Sequence, residues 1–231
     1  MTSSARDQIL GTIRSVRQRG IIPDRADGTG GEAVDTRLQT HPRGLIPARS
    51  QIAPADQVAL FIRMAEAVSA TVEQVETLAH IPDGVADFLA RHNLPAQIKV
   101  APTIADGAIP WSRRPTLAVA VGRAEDPDLT SVTGALAGVA ETGTLMLASG
   151  ADSPTTLNFL PDNHIVVLHR NQIVGPYEDA WDRLRARGAI PRTVNFITGP
   201  SRTGDIEQVI QLGAHGPRRL HIVIVDQDQD L

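Results

Sequence analysis

Apolar residues along this chain follow two different rhythms. Residues 5–19 place Ile9, Leu10, Ile13 and Val16 on one side of a helix. Residues 54–70 do the same with Val58, Phe61, Ile62, Ala65 and Val68, and 82–92 predict a further helix with Pro82 in its first turn. Between the first two lies 20–54, rich in Gly, Pro, Asp and Arg and without a period, which reads as an irregular arm. After a short strand at 71–75 the rhythm changes. "QIKVA", "TLAVAVG", "HIVVLH", "RTVNFIT" and "RLHIVIV" are short, apolar and β-branched. Helical patterns separate the later ones: "YEDAWDRLRARG", ending at Gly188, and "GDIEQVIQLG", ending at Gly213. Residues 129–138 are expected to form a helix, and "VAETGTLMLAS" a hairpin turning at Thr142 and Gly143. Strands alternating with helices imply a parallel sheet with right-handed crossovers, buried on both faces. The fold expected is α/β, with residues 1–53 as a helix and arm and 54–231 as the α/β domain.

Composition narrows the chemistry. Of 231 residues, 42% are hydrophobic and only 3% aromatic, so aliphatic side chains must fill one good-sized core. The formal charge of -4 forces no basic face, which argues against a nucleic-acid partner. No apolar run reaches the ~18 residues of a membrane span, and the N-terminus lacks the apolar core of a signal peptide. A cytoplasmic protein is the expectation. Cysteine is absent, so the chain has no thiolate for nucleophilic catalysis or cluster ligation. Lys99 is the single lysine, which disfavours a phosphate-binding P-loop and imine chemistry.

Several motifs fail on context. "GTGGEA" (28–33) matches a loose dinucleotide pattern but follows no strand. "GPSRTG" has one residue too many for a nucleophile elbow. His164 and His169, five apart on a strand, point to opposite faces and cannot share a metal. No other cluster has ligand spacing, so no metal is expected.

The segment "ITGPSRTGDIE" does better. If 192–198 is a parallel strand and 204–212 a helix, then Gly199, Ser201, Arg202 and Thr203 sit at a carboxyl edge before a helix N-terminus. Backbone N–H groups, two hydroxyls and one guanidinium would suit a carboxylate or phosphate. The plainer reading makes Ser201 or Thr203 a helix cap and pairs Arg202 with Asp205 or Glu207. "ETGT" supplies Glu141, Thr142, Gly143 and Thr144. Glu141 in an apolar hairpin is either a base or nucleophile, or a rim carboxylate in a turn. His215 poses a difficulty, because a helix over 204–212 carries it to the opposite sheet edge from Ser201. It is then structural, or a second subunit brings it near.

"ETGTLMLAS", "LNFLPDNHIVVLHRNQIV" and "ITGPSRTGDIEQVIQLGAHGPRRLHIVIV" together resemble the lactate-utilisation (LUD-domain) family, most closely its LutC (YkgG) branch. The resemblance covers roughly residues 55–226. It implies a three-layer α/β/α sandwich with a mostly parallel sheet, similar to the NagB/RpiA/CoA-transferase fold. It also implies a component of an L-lactate utilisation system that oxidises L-lactate to pyruvate with iron–sulfur partner proteins, and that carries no cofactor of its own. The family assigns no catalytic residue. Two other readings stand beside it: a free-standing CoA-transferase-like or sugar-phosphate enzyme with Glu141 as catalytic residue, and a binding module without turnover. In each, Thr142, Gly143, Thr144, Gly199, Ser201, Arg202, Thr203 and His215 are candidate ligand-binding residues. Homo-oligomerisation is left open.

Overall fold

The computed structural model describes residues 5–18, 29–105, 107, 109–204 and 209–226. Two compact units divide the chain between Gly44 and Leu45. The first contains α1 (Ala5–Gln18) and α2 (Thr29–Thr40). The second helix corrects the expectation of an unbroken irregular arm over 20–54, of which 20–28 lie outside the described residues. Its pattern is faint because Val34 and Leu38, four apart on one face, are its main large apolar side chains. Both stay exposed.

The second unit runs α3 (Pro54–Ala67), β1 (Thr71–Val75), α4 (Ile81–Arg91), β2 (Gln97–Val100), β3 (Ala118–Val121) and β4 (Thr130–Gly134). It continues with β5 (Ala137–Val139), β6 (Thr144–Ala148), α5 (Thr156–Phe159), β7 (Asn163–His169), β8 (Ile173–Val174) and α6 (Tyr177–Ala186). Last come β9 (Val194–Ile197), β10 (Arg202–Thr203), β11 (Gln211–Leu212) and β12 (Arg219–Val225).

Six strands form a parallel sheet in the order β1-β12-β7-β4-β2-β3. β7 and β12 are buried through most of their length because apolar layers cover both faces. On one face Ile165 and Val223 meet Phe88 and Leu89 of α4. On the other, Val166 and Ile222 meet Phe61 of α3 and Leu145 of β6. This is the mixed α/β architecture expected, a parallel sheet flanked by helices. The alternation did not reveal a second sheet, β8-β5-β6-β9, whose far side packs on Ala180 and Leu184 of α6.

Three local expectations are overturned. Residues 129–138 form no helix: 130–134 and 137–139 are strands. Thr130, Ser131 and Thr133 are buried in β4, and Ser131 Oγ donates to the Leu157 carbonyl at 2.6 Å. β9 is not a strand of the parallel sheet: it pairs antiparallel with β6, Leu145 opposite Ile197. No helix occupies 209–212. Residues 202–203 and 211–212 pair antiparallel as a small hairpin, while 205–208 lie outside the described residues. A nine-residue helix is marginal unless its apolar face is buried. Val209, Ile210 and Leu212 are 58%, 69% and 46% exposed, so the pattern has no surface to pack on.

Candidate functional site

The "ETGT" hairpin forms as the sequence predicts. β5 and β6 pair antiparallel, Val139 opposite Thr144, leaving residues 140–143 as the turn. Gly143 has φ of 66°, and a Cβ there would lie 2.3 Å from Ala65 N. Only glycine lets this tip rest on the end of α3. Glu141 is 7% exposed, and its Oε1 accepts from Arg49 Nη2 at 3.0 Å. Its backbone N–H donates to the Gly175 carbonyl at 3.1 Å. Arg49 comes from the unpatterned segment, where the sequence offered no signal for it.

Just beyond Glu141, four hydroxyls touch. Thr142 Oγ1, Thr144 Oγ1 and Tyr177 Oη form a triangle with sides of 2.7, 2.8 and 2.9 Å. Thr144 Oγ1 also lies 2.7 Å from Thr198 Oγ1. This contact joins the two sequence motifs, because Thr198 begins the "TGPSRT" loop.

That loop leaves β9 and turns at Gly199, whose φ is 76° and whose Cβ would meet the Val68 carbonyl oxygen at 2.5 Å. Ser201 N–H donates to the Pro217 carbonyl at 2.8 Å, and Gly213 N–H to the Ser201 carbonyl at 3.0 Å. His215 N–H reaches Ser201 Oγ at 3.4 Å. The hairpin therefore brings Ser201 and His215 together within one chain, and the expected separation to opposite sheet edges is wrong. Its premise, a helical crossover, is absent.

The N-terminus of the helix expected behind the loop falls at 205–208, outside the described residues. Arg202 does not close over an open anion cradle, and its expected partners Asp205 and Glu207 lie outside the described residues. Its Nη2 donates to the Val68 carbonyl and to Ser69 Oγ, each at 2.7 Å. A guanidinium at the carboxyl end of α3 complements the negative end of the helix dipole. Thr203 is buried beside it, 7% exposed.

Between this loop, the 215–217 turn and α5 lies a cavity of about 280 Å³. Thr198, Ser201, Arg202 and His215 contribute to its wall, and so do Asn158 and His164. Glu141 does not. His164 is the second residue of β7 and Leu220 the second of β12, so the cavity opens at the amino edge of the parallel sheet, not the carboxyl edge. One of its buried polar atoms lacks a partner. Asn158, 5% exposed, also lines the wall. His164 is fully buried, with Nε2 at 2.8 Å from Thr133 Oγ1 and Nδ1 unpartnered. Burial pushes its pKa down to about 3, so the ring is neutral near pH 7. Unpartnered buried polar groups are costly, and a ligand's polar atoms would relieve that cost. Sequence reasoning set His164 aside as a metal ligand and missed Asn158, Thr198 and Tyr177. A histidine inside an apolar strand was the available signal.

A second cavity, about 400 Å³, lies at the carboxyl edge. It sits where the chain leaves β2 at Thr103 and Ile104, leaves β4 at Gly134 and Ala135, and reaches His169 at the end of β7. β2 connects toward β3 on one side and β4 toward β7 on the other, so this is the sheet's switch point. Its polar groups are largely committed. His169 and Gln172 cap one another, with His169 N–H donating to Gln172 Oε1 at 2.8 Å. Arg187, exposed on the rim, has no side-chain partner among the described residues.

Comparison with known proteins agrees with this architecture. Residues 58–225 match the LUD domain family model. Lactate utilization protein C of Anoxybacillus flavithermus is 37% identical over 90 residues, 38% of this chain and 40% of that protein. Lactate utilization protein C of Bacillus subtilis is 35% identical over 91 residues, 38% of each chain. The match thus spans about two-fifths of the length of these curated relatives. The crystal structure of a DUF162 family protein from Deinococcus radiodurans superposes with a TM-score of 0.57 at 26% identity, covering 75% of this chain and 99% of that one. Among the described residues no helix is long and apolar enough to cross a membrane. With the family model matched over most of its length, this chain belongs to the LUD domain family.

Proposed function

We propose that this chain is a component of lactate utilisation that binds a small carboxylate in the amino-edge cavity, while iron–sulfur partner proteins carry out the oxidation to pyruvate. Its likeness to proteins named lactate utilization protein C supports the first half. The absence of cysteine supports the division of labour, since the chain has no thiolate with which to hold a cluster. The observation that carries the binding site is the buried, partnerless His164 Nδ1, in a wall shared with Asn158, Ser201 and Arg202. Asn158 N–H and Ser201 O–H are donors for a carboxylate, and the Arg202 charge lies close by. Glu141 acts in this scheme as a positioning group that ties Arg49 to the hairpin. Titrating the pure chain with L-lactate while following backbone amide resonances tests the reading. Saturable shifts at residues 198–202 and 213–217 are expected. Absence of saturation, or shifts confined to other regions, would overturn it.

A further inference from the structure

We propose that Thr198 makes the amino-edge cavity select a ligand that donates a hydrogen bond, so that a 2-hydroxy acid binds better than its 2-oxo counterpart. This rests on the carboxylate-binding reading above and names the substrate class of the same site.

The number of protons in the hydroxyl cluster decides which way Thr198 points its own. Each hydroxyl carries one hydrogen and can donate once, though its oxygen accepts up to twice. Thr142, Thr144, Tyr177 and Thr198 supply four hydrogens. Their oxygens make four close contacts, at 2.7, 2.8, 2.9 and 2.7 Å. At such distances an oxygen pair with no hydrogen between them is repulsive, so every contact needs one hydrogen. Four hydrogens for four contacts leave none over. Thr198 touches the cluster at one point only, Thr144. Its hydrogen must therefore lie in that contact, directed inward. The remaining three hydrogens then run head to tail around the triangle, and Thr144 accepts twice. Thr144 is fully buried, which holds the arrangement in place.

Thr198 is exposed on its other side, where it forms part of the cavity wall. What it shows there is lone pairs without a proton. A ligand hydroxyl satisfies them by donating, whereas a ligand carbonyl can only oppose lone pair to lone pair. Ser201 is the complement. Its oxygen accepts from His215 N–H, which leaves its own hydrogen for the cavity. The wall thus offers a donor for a carboxylate and an acceptor for a neighbouring hydroxyl. A 2-hydroxy carboxylate presents those two groups side by side.

The test compares L-lactate with pyruvate as ligands of the full chain, by amide-shift titration, for the wild type and for Thr198→Val and Thr198→Ser. For the wild type, L-lactate is expected to bind roughly tenfold tighter, the value of one hydrogen bond made against one lone-pair clash. Thr198→Val keeps the shape, removes the acceptor and should bring the two affinities together, while Thr198→Ser should keep the preference. Equal affinities in the wild type, or tighter pyruvate, overturn the inference and leave the carboxylate site standing. The same holds if the preference survives in Thr198→Val. If neither acid binds saturably, the carboxylate site falls and this inference with it. The wild-type comparison and Thr198→Ser decide the matter even if the valine variant does not fold.

Discussion

The two edges of the parallel sheet each carry a cavity, and they differ in how their polar groups are employed. At the carboxyl edge the cavity stands at the switch point, where ligands of open α/β sheets bind as a rule. Yet His169 and Gln172 there satisfy one another, and the charged group is an exposed arginine at the rim. At the amino edge no general rule predicts a site. There the wall contains a fully buried histidine with one idle nitrogen, beside a buried asparagine. A fold-level rule and residue-level chemistry point to different places, and chemistry resides in particular residues. The amino edge is also where the second sheet, absent from an ordinary doubly wound fold, delivers Thr198 and Ser201.

The largest effect should come from separating the second sheet from α3. At Gly143 a Cβ would sit 2.3 Å from Ala65 N, at a φ of 66°. Gly143→Val adds left-handed strain to a backbone clash, which should cost about 3 kcal/mol or more. Denaturant melting reads this directly. A variant melting like the wild type would mean that the hairpin tip is not seated on α3, and the amino-edge wall would lose its support. At the carboxyl edge, Gly134→Ala meets only Ile104 Cγ2 at 3.2 Å, so a smaller loss is expected.

Acid should come next. His164 and His221 are buried, and burial pushes their pKa values down to about 3 and about 4. For His221, the nearby Arg91 and His92 add to the depression, while a hydrogen bond with Thr71 opposes it. Glu73 Oε2 lies 3.5 Å from His221 Nε2, and neither atom has a hydrogen bond. Folded-state values below the unfolded ~6.5 mean that the unfolded chain binds more protons as pH falls. The stability is whole above pH ~6.5 and is lost below it, by about 2 kcal/mol for each histidine at pH 5. Urea melts at pH 7.5 and 5 should show this loss, and His221→Gln should remove its share. A pH-independent midpoint in that window would mean that neither ring is buried in its neutral form, and His164 would no longer mark the amino-edge cavity.

Much of the central sheet was legible in the sequence, because "HIVVLH" and "RLHIVIV" are apolar on both faces and only a doubly covered strand wants that. Which sheet a strand joins was not. "RTVNFI" is as strand-like as the others, and its antiparallel partner in β6 is set by packing far away in sequence. The expected helix over 204–212 is not found at 209–212 for the same reason. Its periodicity is real, but a pattern becomes a helix only where its apolar face finds something to cover, and Ile210 is 69% exposed. Of the candidate site, the two motifs were visible and their meeting was not. Arg49 and Asn158 carry no local signature; only the fold brings Arg49 to Glu141 and Asn158 into the cavity wall.

Arg202 sharpens the comparison at a smaller scale. The guanidinium binds the end of α3 through Val68 and Ser69, partly in solvent. Arg202→Ala should lower stability by about 1 kcal/mol, an exposed charge-assisted bond discounted for screening. The affinity for L-lactate should fall by less than tenfold, through loss of a nearby charge. If melting is unchanged and affinity falls further, Arg202 is a direct ligand and its place at α3 is wrong.

The smallest expected effect is the one that separates the two edges. Arg187 is the rim charge of the carboxyl-edge cavity and makes no side-chain bond among the described residues. Removing an exposed, unpaired side chain typically alters stability by no more than about 0.5 kcal/mol. If L-lactate binds at the amino edge, Arg187→Ala should also leave its affinity within about twofold, since exposed charges more than a Debye length of roughly 10 Å apart hardly feel one another. The same titration that follows Thr198 reads this variant. A tenfold loss of L-lactate affinity in Arg187→Ala, with Thr198→Val unaffected, would move the ligand to the switch point. The fold rule would then have been the better guide, and the idle nitrogen of His164 would need another explanation. An unchanged Arg187→Ala beside an altered Thr198→Val would assign the site by its unsatisfied histidine, against the position that the sheet alone suggests.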